Sequence, residues 1–452
     1  MLSALLGIDE AEAALRLKLR IAVNFDETAS VSRALGEHVI ALLSRTVEDA
    51  GSIPSEKDVD VEIIIGRRKP SVPAKVRIYA GQHGSSFIVD GAEPLNPPDD
   101  FTPLPYLVIK ACHISAAALR AALEASFPFG SRQPIVLNWR DLFGSEIINS
   151  PVPIEIGETH LAGAGAVGHG FVYTLRYFDV RGKLWIADPK RITEGGLNRC
   201  LLLSPDDVGR PKATRLCQSA QRFFPNLELV AIDTLLGDAL KTQGIEARLE
   251  KLIVGVDSRR ARRSLQMELP ASVFDASTTG VNEVVLHFNR SCSDLACLSC
   301  IYPENQRERQ HEENVAEALG LTIDEVRTGF ISPAAADRIS RKYRELQVLE
   351  LVGRAFDTVY KELCGVGKLK AVGGEQVLAP FSFVSVLAGA YLAIEFAIRI
   401  SRPHASRFNY WRLSPWRSPV TGLRQERPRD PACEFCSKPY LRKAMEDLWQ
   451  IG

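Results

Sequence analysis

This 452-residue chain has no excess charge of either sign: 55 basic side chains balance 55 acidic ones. Bulk attraction to nucleic acid or to an anionic membrane is thereby excluded as a binding principle, and neither is expected as a partner. No apolar run reaches the roughly 20 residues that span a bilayer. The nearest, 379–400, is interrupted by Ser382, Ser385 and Glu395 and ends in arginines, which reads as a buried helix. The opening MLSALLGIDEAEAALRLKLR sets acids directly behind a very short apolar patch, so no secretory segment is expected and a cytoplasmic location is. A repeat with a period of roughly 20 to 50 residues is also absent, as is any low-complexity tract.

What is present fits two or three domains, with enough apolar residues for sizeable cores. The most informative stretch is 161–217. Gly163-x-Gly165-x-x-Gly168 follows an apolar stretch and opens a helix-like one (Ala166 to Phe178), and KLWIAD then gives a short buried strand ending in Asp188. Alone, the glycine pattern also serves NAD and FAD. In this setting the first glycine makes the turn, the second admits phosphate to the backbone, and the third lets the helix pack close. The helix N-terminus adds free N–H groups and a positive dipole end. Asp188, about 20 residues past the glycines, is placed to meet ribose hydroxyls.

The residues after Asp188 separate this site from a dehydrogenase. Asn198-Arg199 and then Lys212 bring two permanent cations beside the nucleotide. Hydride transfer has no need of them, whereas attack on a phosphate builds charge that fixed donors must counter. In IVGVDSRRAR an apolar strand ends in Asp257, a carboxylate suited to holding Mg²⁺ against phosphates.

In order and spacing these parts resemble the ThiF/MoeB family, which includes the ubiquitin-activating enzymes. The likeness spans roughly 155–300 and resumes near 376. It implies an α/β fold whose Rossmann-like adenylation domain has a mostly parallel sheet. It also implies ATP and Mg²⁺ bound by Gly163, Gly165, Gly168, Asp188, Asn198, Arg199, Lys212 and Asp257. Arg199, Lys212 and Asp257 would act in catalysis. This chain departs from the family pattern at Lys190, Cys200 and Ser258, where an acid, Gln and Asn are usual.

Nine cysteines in a chain of this length do not describe a secreted disulfide scaffold. Two CxxC pairs, Cys297/Cys300 and Cys433/Cys436, offer four thiolates for a closed structural Zn²⁺ site. Their separation is longer than in a zinc ribbon, but the family resembled places its pairs in this way. Cys292 is read as a bystander. The family also carries a reactive cysteine in a crossover loop, which falls here on Cys364, with Lys361 and Lys368 nearby to favour the thiolate. Cys112, Cys200, Cys217 and His113 read as packing residues.

Residues 1–152 form a mixed α/β unit with no glycine-rich phosphate turn. RLKLRIAVNF, VDVEIIIGRR, KVRIYAG, SSFIVDG, LPYLVIKAC and QPIVLNW read as strands, and 29–46 and 114–125 as helices. By analogy this unit is a degenerate adenylation-like half or a docking module. Residues 153–300 and 376–452 would form the ATP-binding domain with its zinc site, and 301–375 a charged helical insertion carrying the Cys364 loop. The arginines at 259, 260 and 263 read as a solvated helix face, and Arg262 as the last Arg of the family motif. The resemblance implies activation of a ubiquitin-like protein ending in Gly: adenylation, a thioester on Cys364, then transfer to a conjugating enzyme. The alternative is adenylation of a sulfur-carrier protein without a conjugating enzyme, and a homodimer is compatible with either.

Overall fold

The computed structural model describes residues 2, 6–8, 10–52, 58–99, 102–124, 127–128, 132–144, 153–242, 248–279, 281–304, 306–354, 356–365, 381–403 and 408–450. In the first unit, β1 (Arg20–Asn24), β2 (Asp49–Gly51), β3 (Val59–Ile65) and β4 (Ala74–His83) run parallel, while β5 (Ser86–Gly91) and β6 (Ile135–Leu137) extend the sheet antiparallel. The strand order is β2-β1-β3-β4-β5-β6. Two helices, α1 (Ser30–Leu43) and α2 (Leu104–Ala122), pack against it.

α2 corrects the sequence reading. LPYLVIKAC is no strand, and the helix expected to begin at 114 begins ten residues earlier, at Leu104. Every residue from Pro105 to Ala121 is buried. A segment apolar on all sides has no periodicity to mark it as helix or strand, and only its length decides.

The second sheet contains β7 (Ile154–Ala162), β8 (Val180–Ala187), β9 (Leu227–Ile232), β10 (Lys251–Val254), β11 (Ser272–Thr279), β12 (Glu283–Arg290), β13 (Tyr410–Leu413) and β14 (Leu423–Gln425). Its order is β14-β13-β12-β11-β10-β7-β8-β9. The five strands β9-β8-β7-β10-β11 are parallel, as expected, and the other three are antiparallel. From β7 the chain winds outward through α3 (Ala166–Leu175), β8, α4 (Lys212–Ala220) and β9. It then returns to the other side of β7 through β10, α5 (Arg259–Met267) and β11. The direction of winding reverses between β7 and β10, and the crevice at their carboxyl ends is where such sheets bind ligands.

Between β12 and β13 lie α6 (Gln306–Leu319), α7 (Ile323–Arg327), α8 (Pro333–Lys342) and α9 (Phe356–Gly365). They close on a core of their own, with Val315, Leu319, Ile339, Leu351 and Phe356 buried together. This insertion docks on α5 through charge. Arg260 pairs with the buried Glu312 at 2.9 Å, and Arg263 with Glu308 at 2.8 Å. Arg260 and Arg263, read as part of a solvated face, therefore form an internal interface, while Arg259 is exposed as expected. Arg262 points inward, 2.8 Å from the buried Asp275, and holds β11 rather than a phosphate.

The chain then enters α10 (Ser382–Ser401) and ends, after β14, in α11 (Pro439–Trp449). α10 has the length and mean hydropathy (1.8) of a membrane span, but 83% of its apolar window is buried inside the protein. It packs on α2, α3, β11 and β12, so one apolar core containing Ile63, Leu107, Phe171, Val386 and Trp411 joins both sheets. Two glycines permit the α3–α10 approach. A Cβ on Gly389 would stand 2.5 Å from the Gly170 carbonyl carbon, and one on Gly170 would stand 2.8 Å from Val386 Cα.

Candidate active site

The phosphate turn is built where β7 ends. Gly163 N–H donates to Ala187 O at 2.8 Å, which ties the turn to β8. Gly163 has φ +103°, and a Cβ there would press on Gly255 at 2.9 Å. A Cβ on Gly168 would lie 2.2 Å from Gly163 O, so the turn and α3 pack only without one. A Cβ on Gly165, the residue before α3, would meet nothing within 4 Å among the described residues. That open space lies before the free N–H groups of a helix start, which is what a triphosphate requires.

Asp188 follows β8 and is buried. Its Oδ2 accepts from Ala164 N–H at 2.9 Å and its Oδ1 from Lys190 N–H at 2.8 Å. The acid thus braces the glycine turn directly, and its remaining lone pairs are the ones a ribose could use. Asp257 lies three residues beyond β10, on the opposite wall of the crevice, with its side chain 78% exposed. Lys190 Nζ reaches across to Asp257 Oδ2 at 3.0 Å. Crowding by the walls would raise the Asp257 pKa, but Lys190, and then Lys212, hold it well below the usual carboxylate range. The Lys190 ammonium is stabilised in turn: burial lowers its pKa, and Asp257 and Asp188 more than reverse that.

Residues 190–212 fold back as a flap. Lys212 N–H donates to Lys190 O at 3.0 Å, and Ile192 and Gly209 exchange bonds with their neighbours across it. Lys212 begins α4. Arg199 and Asn198 sit on the loop after a single helical turn, Glu194–Leu197, and Asn198 Oδ1 is buried with no partner among the described residues. Neither Arg199 nor Lys212 has an ion-pair partner there. Two cations without an ion-pair partner among the described residues, carried on one flap, form a donor set suited to an anionic ligand.

Gly163, Gly165, Gly168, Asp188 and Asp257 are thus brought together, with Lys212 within electrostatic reach. Sequence reasoning missed Lys190, noted only as a departure, because its partner lies 67 positions away. It also missed His169 on α3, whose Nδ1 accepts from Leu202 N–H at 3.4 Å. Burial, then Lys212 and Arg45, push that imidazole down to about 3, so it stays neutral. A cavity of about 400 Å³ lined by Leu201, Leu203, Ser204, Asp207, Arg215 and Arg222 contains none of the expected site residues. Cys364 lies near the end of α9, but its side chain, and residues 366–380 with Lys368, lie outside the described residues.

The CxxC pairs meet. Sγ–Sγ distances are 3.7 Å for Cys297–Cys300, 3.7 Å for Cys297–Cys433 and 3.4 Å for Cys300–Cys436, with all four sulfurs within 4.8 Å of one another. A tetrahedron with Zn–S of about 2.3 Å has edges of about 3.8 Å, so the cluster fits Zn²⁺. Backbone N–H groups of Asp430 and Phe435 donate to the Cys300 and Cys433 sulfurs at 3.3 and 3.4 Å, as thiolate ligands require. Cys292 stands outside the cluster, against Arg442 O at 3.8 Å. Cys112, Cys200 and Cys217 are buried, and burial raises each thiol pKa. His113 is a core histidine bonded to Pro415 O at 3.0 Å.

Comparison with known proteins now decides the family. The ThiF family model matches residues 155–435, and the E1 N-terminal domain model matches residues 1–144. The chain belongs to the ThiF family. It is 28% identical over 260 residues to the uncharacterized protein y4jF of Sinorhizobium fredii, covering 54% of this chain and 49% of that one. The chain thus spans about half the length of that curated relative. Among solved structures, E. coli MccB with ATP is 14% identical with a TM-score of 0.37, over 79% of this chain and 97% of MccB. MccB with AMPCPP and MccA gives 14% and 0.38 over the same shares, and PaaA gives 13% and 0.36 over 60% and 73%.

Proposed function

We propose that this chain is an adenylating enzyme that uses ATP to activate a carboxylate, and that the carboxylate is the C-terminal glycine of a small ubiquitin-like protein, laid over the carboxyl edge of β7 and β10. The observation that carries this reading is the convergence of the glycine turn, Asp188, Lys212 and Asp257 on one crevice, in a chain that also matches the E1 N-terminal domain. The carboxylate oxygen attacks the α-phosphorus of ATP, the bond to the bridging oxygen breaks, and pyrophosphate leaves. Lys212 and Arg199, with the Asn198 amide, counter the charge that builds on the phosphate oxygens. Mg²⁺ on Asp257 would neutralise the departing pyrophosphate.

In the same reading the Cys364 thiolate attacks the acyl-adenylate carbonyl, AMP leaves, and a thioester forms for transfer to a conjugating enzyme. The sulfur-carrier alternative ends at the adenylate or passes it to a sulfur donor. A non-reducing gel tests the difference, using ATP, small β-grasp proteins ending in Gly, and Cys364→Ala alongside the wild type. A thiol-sensitive conjugate formed only by the wild type supports the relay. A conjugate of equal yield in the variant, or none with any carrier that is adenylated, overturns it.

A further inference from the structure

Arg45 belongs to the first unit, two residues past the end of α1, yet its guanidinium lies against the second. It donates to the carbonyl of Leu197 and, at 3.1 and 3.2 Å, to those of Leu201 and Leu203. These three carbonyls bracket Arg199 on the flap. An irregular loop cannot satisfy its own carbonyls as a helix does, and here one planar fork of donors satisfies three. A lysine, with a single point charge, could not span them.

The clamp has two fixed ends. On its far side His169, from the helix that opens the glycine turn, accepts from Leu202 N–H between two of the clamped carbonyls. On its near side the chain around Arg45 is anchored to the start of α10. Ser382 Oγ donates to Leu42 O at 2.8 Å and lies 3.2 Å from Thr46 Oγ1. Cys200 and Leu203, on the loop, are buried with Ile192 in a small cluster of their own. The loop is therefore held from the first unit on one face and from the phosphate-turn helix on the other.

We propose that Arg45 is a positioning residue for adenylation, through which the first unit fixes the 197–203 loop and sets Arg199 where the phosphates of ATP meet it. This gives the E1 N-terminal domain a task in the reaction although it has no nucleotide turn. Donor placement matters at this scale, since misplacing a reacting group by about 1 Å costs on the order of a hundredfold. The inference rests on the nucleotide lying at the 163–168 turn.

The test uses the full chain as wild type, Arg45→Met, Arg45→Lys and Arg77→Met. Arg77 makes comparable contacts inside the first unit, to Glu62 and Val72 O, without touching the loop, and so controls for general weakening. Hydrogen exchange and calorimetric titration with ATP in Mg²⁺ buffer are the readouts. Arg45→Met is expected to speed exchange at 197–203 about tenfold with β1 and β3 unchanged, and to weaken ATP binding about tenfold. Arg45→Lys should fall between, and Arg77→Met should leave both at wild-type values. If Arg45→Met does not fold, Arg45→Lys carries the comparison. Unchanged loop exchange in the Arg45 variants, unchanged ATP affinity despite faster exchange, or equal weakening by Arg77→Met each overturns the proposal. Faster loop exchange in a protein whose wild type binds no ATP would leave the clamp standing and sink the nucleotide reading instead.

Discussion

Lys190 Nζ bonds to Asp257 Oδ2 at 3.0 Å across the mouth of the crevice between β7 and β10. A protein cation thus stands against the carboxylate best placed to take Mg²⁺. Replacing Lys190 with Met removes the competitor. An exposed ion pair of this kind contributes about 1 kcal/mol, so the nucleotide-free variant should bind Mn²⁺ several-fold more tightly. Calorimetric titration with Mn²⁺ alone checks this, with Asp257→Asn as the blank. Equal affinity in wild type and Lys190→Met would show that the pair does not guard the site.

The cysteine cluster predicts one zinc per chain, detectable by elemental analysis of protein purified without added metal. Cys433→Ser or a strong chelator should remove it and lower the melting temperature, because the four sulfurs join the loop after β12 to the segment before α11. Breaking a closed thiolate site forfeits its folding energy. Zinc-free protein with an unaltered melting temperature would count against the assignment.

Burial lowers the pKa of five buried histidines, His287 among them, and the four largest shifts make the fold acid-sensitive. Burial first of all pushes His38 and His169 down to about 3 and His113 and His160 to about 4. His38 is bonded at both nitrogens, to the Tyr173 and Tyr177 hydroxyls at 2.8 Å each, and as a neutral ring it donates at one nitrogen and accepts at the other. The unfolded chain takes these protons near pH 6.5 and the folded chain refuses them. Their stabilisation is therefore full above about 6.5 and is lost as pH falls toward 4, at about 1.4 kcal/mol per histidine per pH unit. Urea midpoints should be level from pH 7.5 to 6.5 and fall below that, less steeply in His160→Gln. A midpoint independent of pH down to 4.5 would refute the account.

The α3–α10 crossing tolerates no side chain. Gly389→Ala forces a Cβ into the backbone around Gly170, and an overpacked core of this kind costs about 1–3 kcal/mol. Chemical denaturation of Gly389→Ala and of the exposed control Gly195→Ala, a position without a positive φ, separates this from any general effect of alanine. Equal midpoints would mean that the helices part without cost.

Local patterns carried most of what the sequence revealed. The glycine turn, the strand-end acids and the CxxC pairs are each read within a few residues, and the structure gathers the first two at one crevice and the four cysteines in one cluster. The four-cysteine cluster was legible across more than 130 residues only because each half is itself a motif. Arg45, Lys190 and His169 act through single contacts at long separation, which no periodicity or spacing signals. The start of α2 was misread as a strand because uniform burial leaves no 3.6-residue periodicity to mark a helix. Arg260 and Arg263 of α5 were misread because a charged helix face looks the same whether it meets water or the acids of another helix, here Glu308 and Glu312.

The central claim is that Arg199, Lys212 and the glycine turn serve attack by a carboxylate on ATP. ATP–[³²P]pyrophosphate exchange, run with the same panel of proteins ending in Gly, tests it most directly. The account predicts exchange with at least one carrier, a fall of a hundredfold or more in Lys212→Met, the scale of a lost phosphate-clamp donor, and full exchange in Cys364→Ala. Exchange that is undiminished in Lys212→Met, or absent with every carrier while ATP binds, would contradict it.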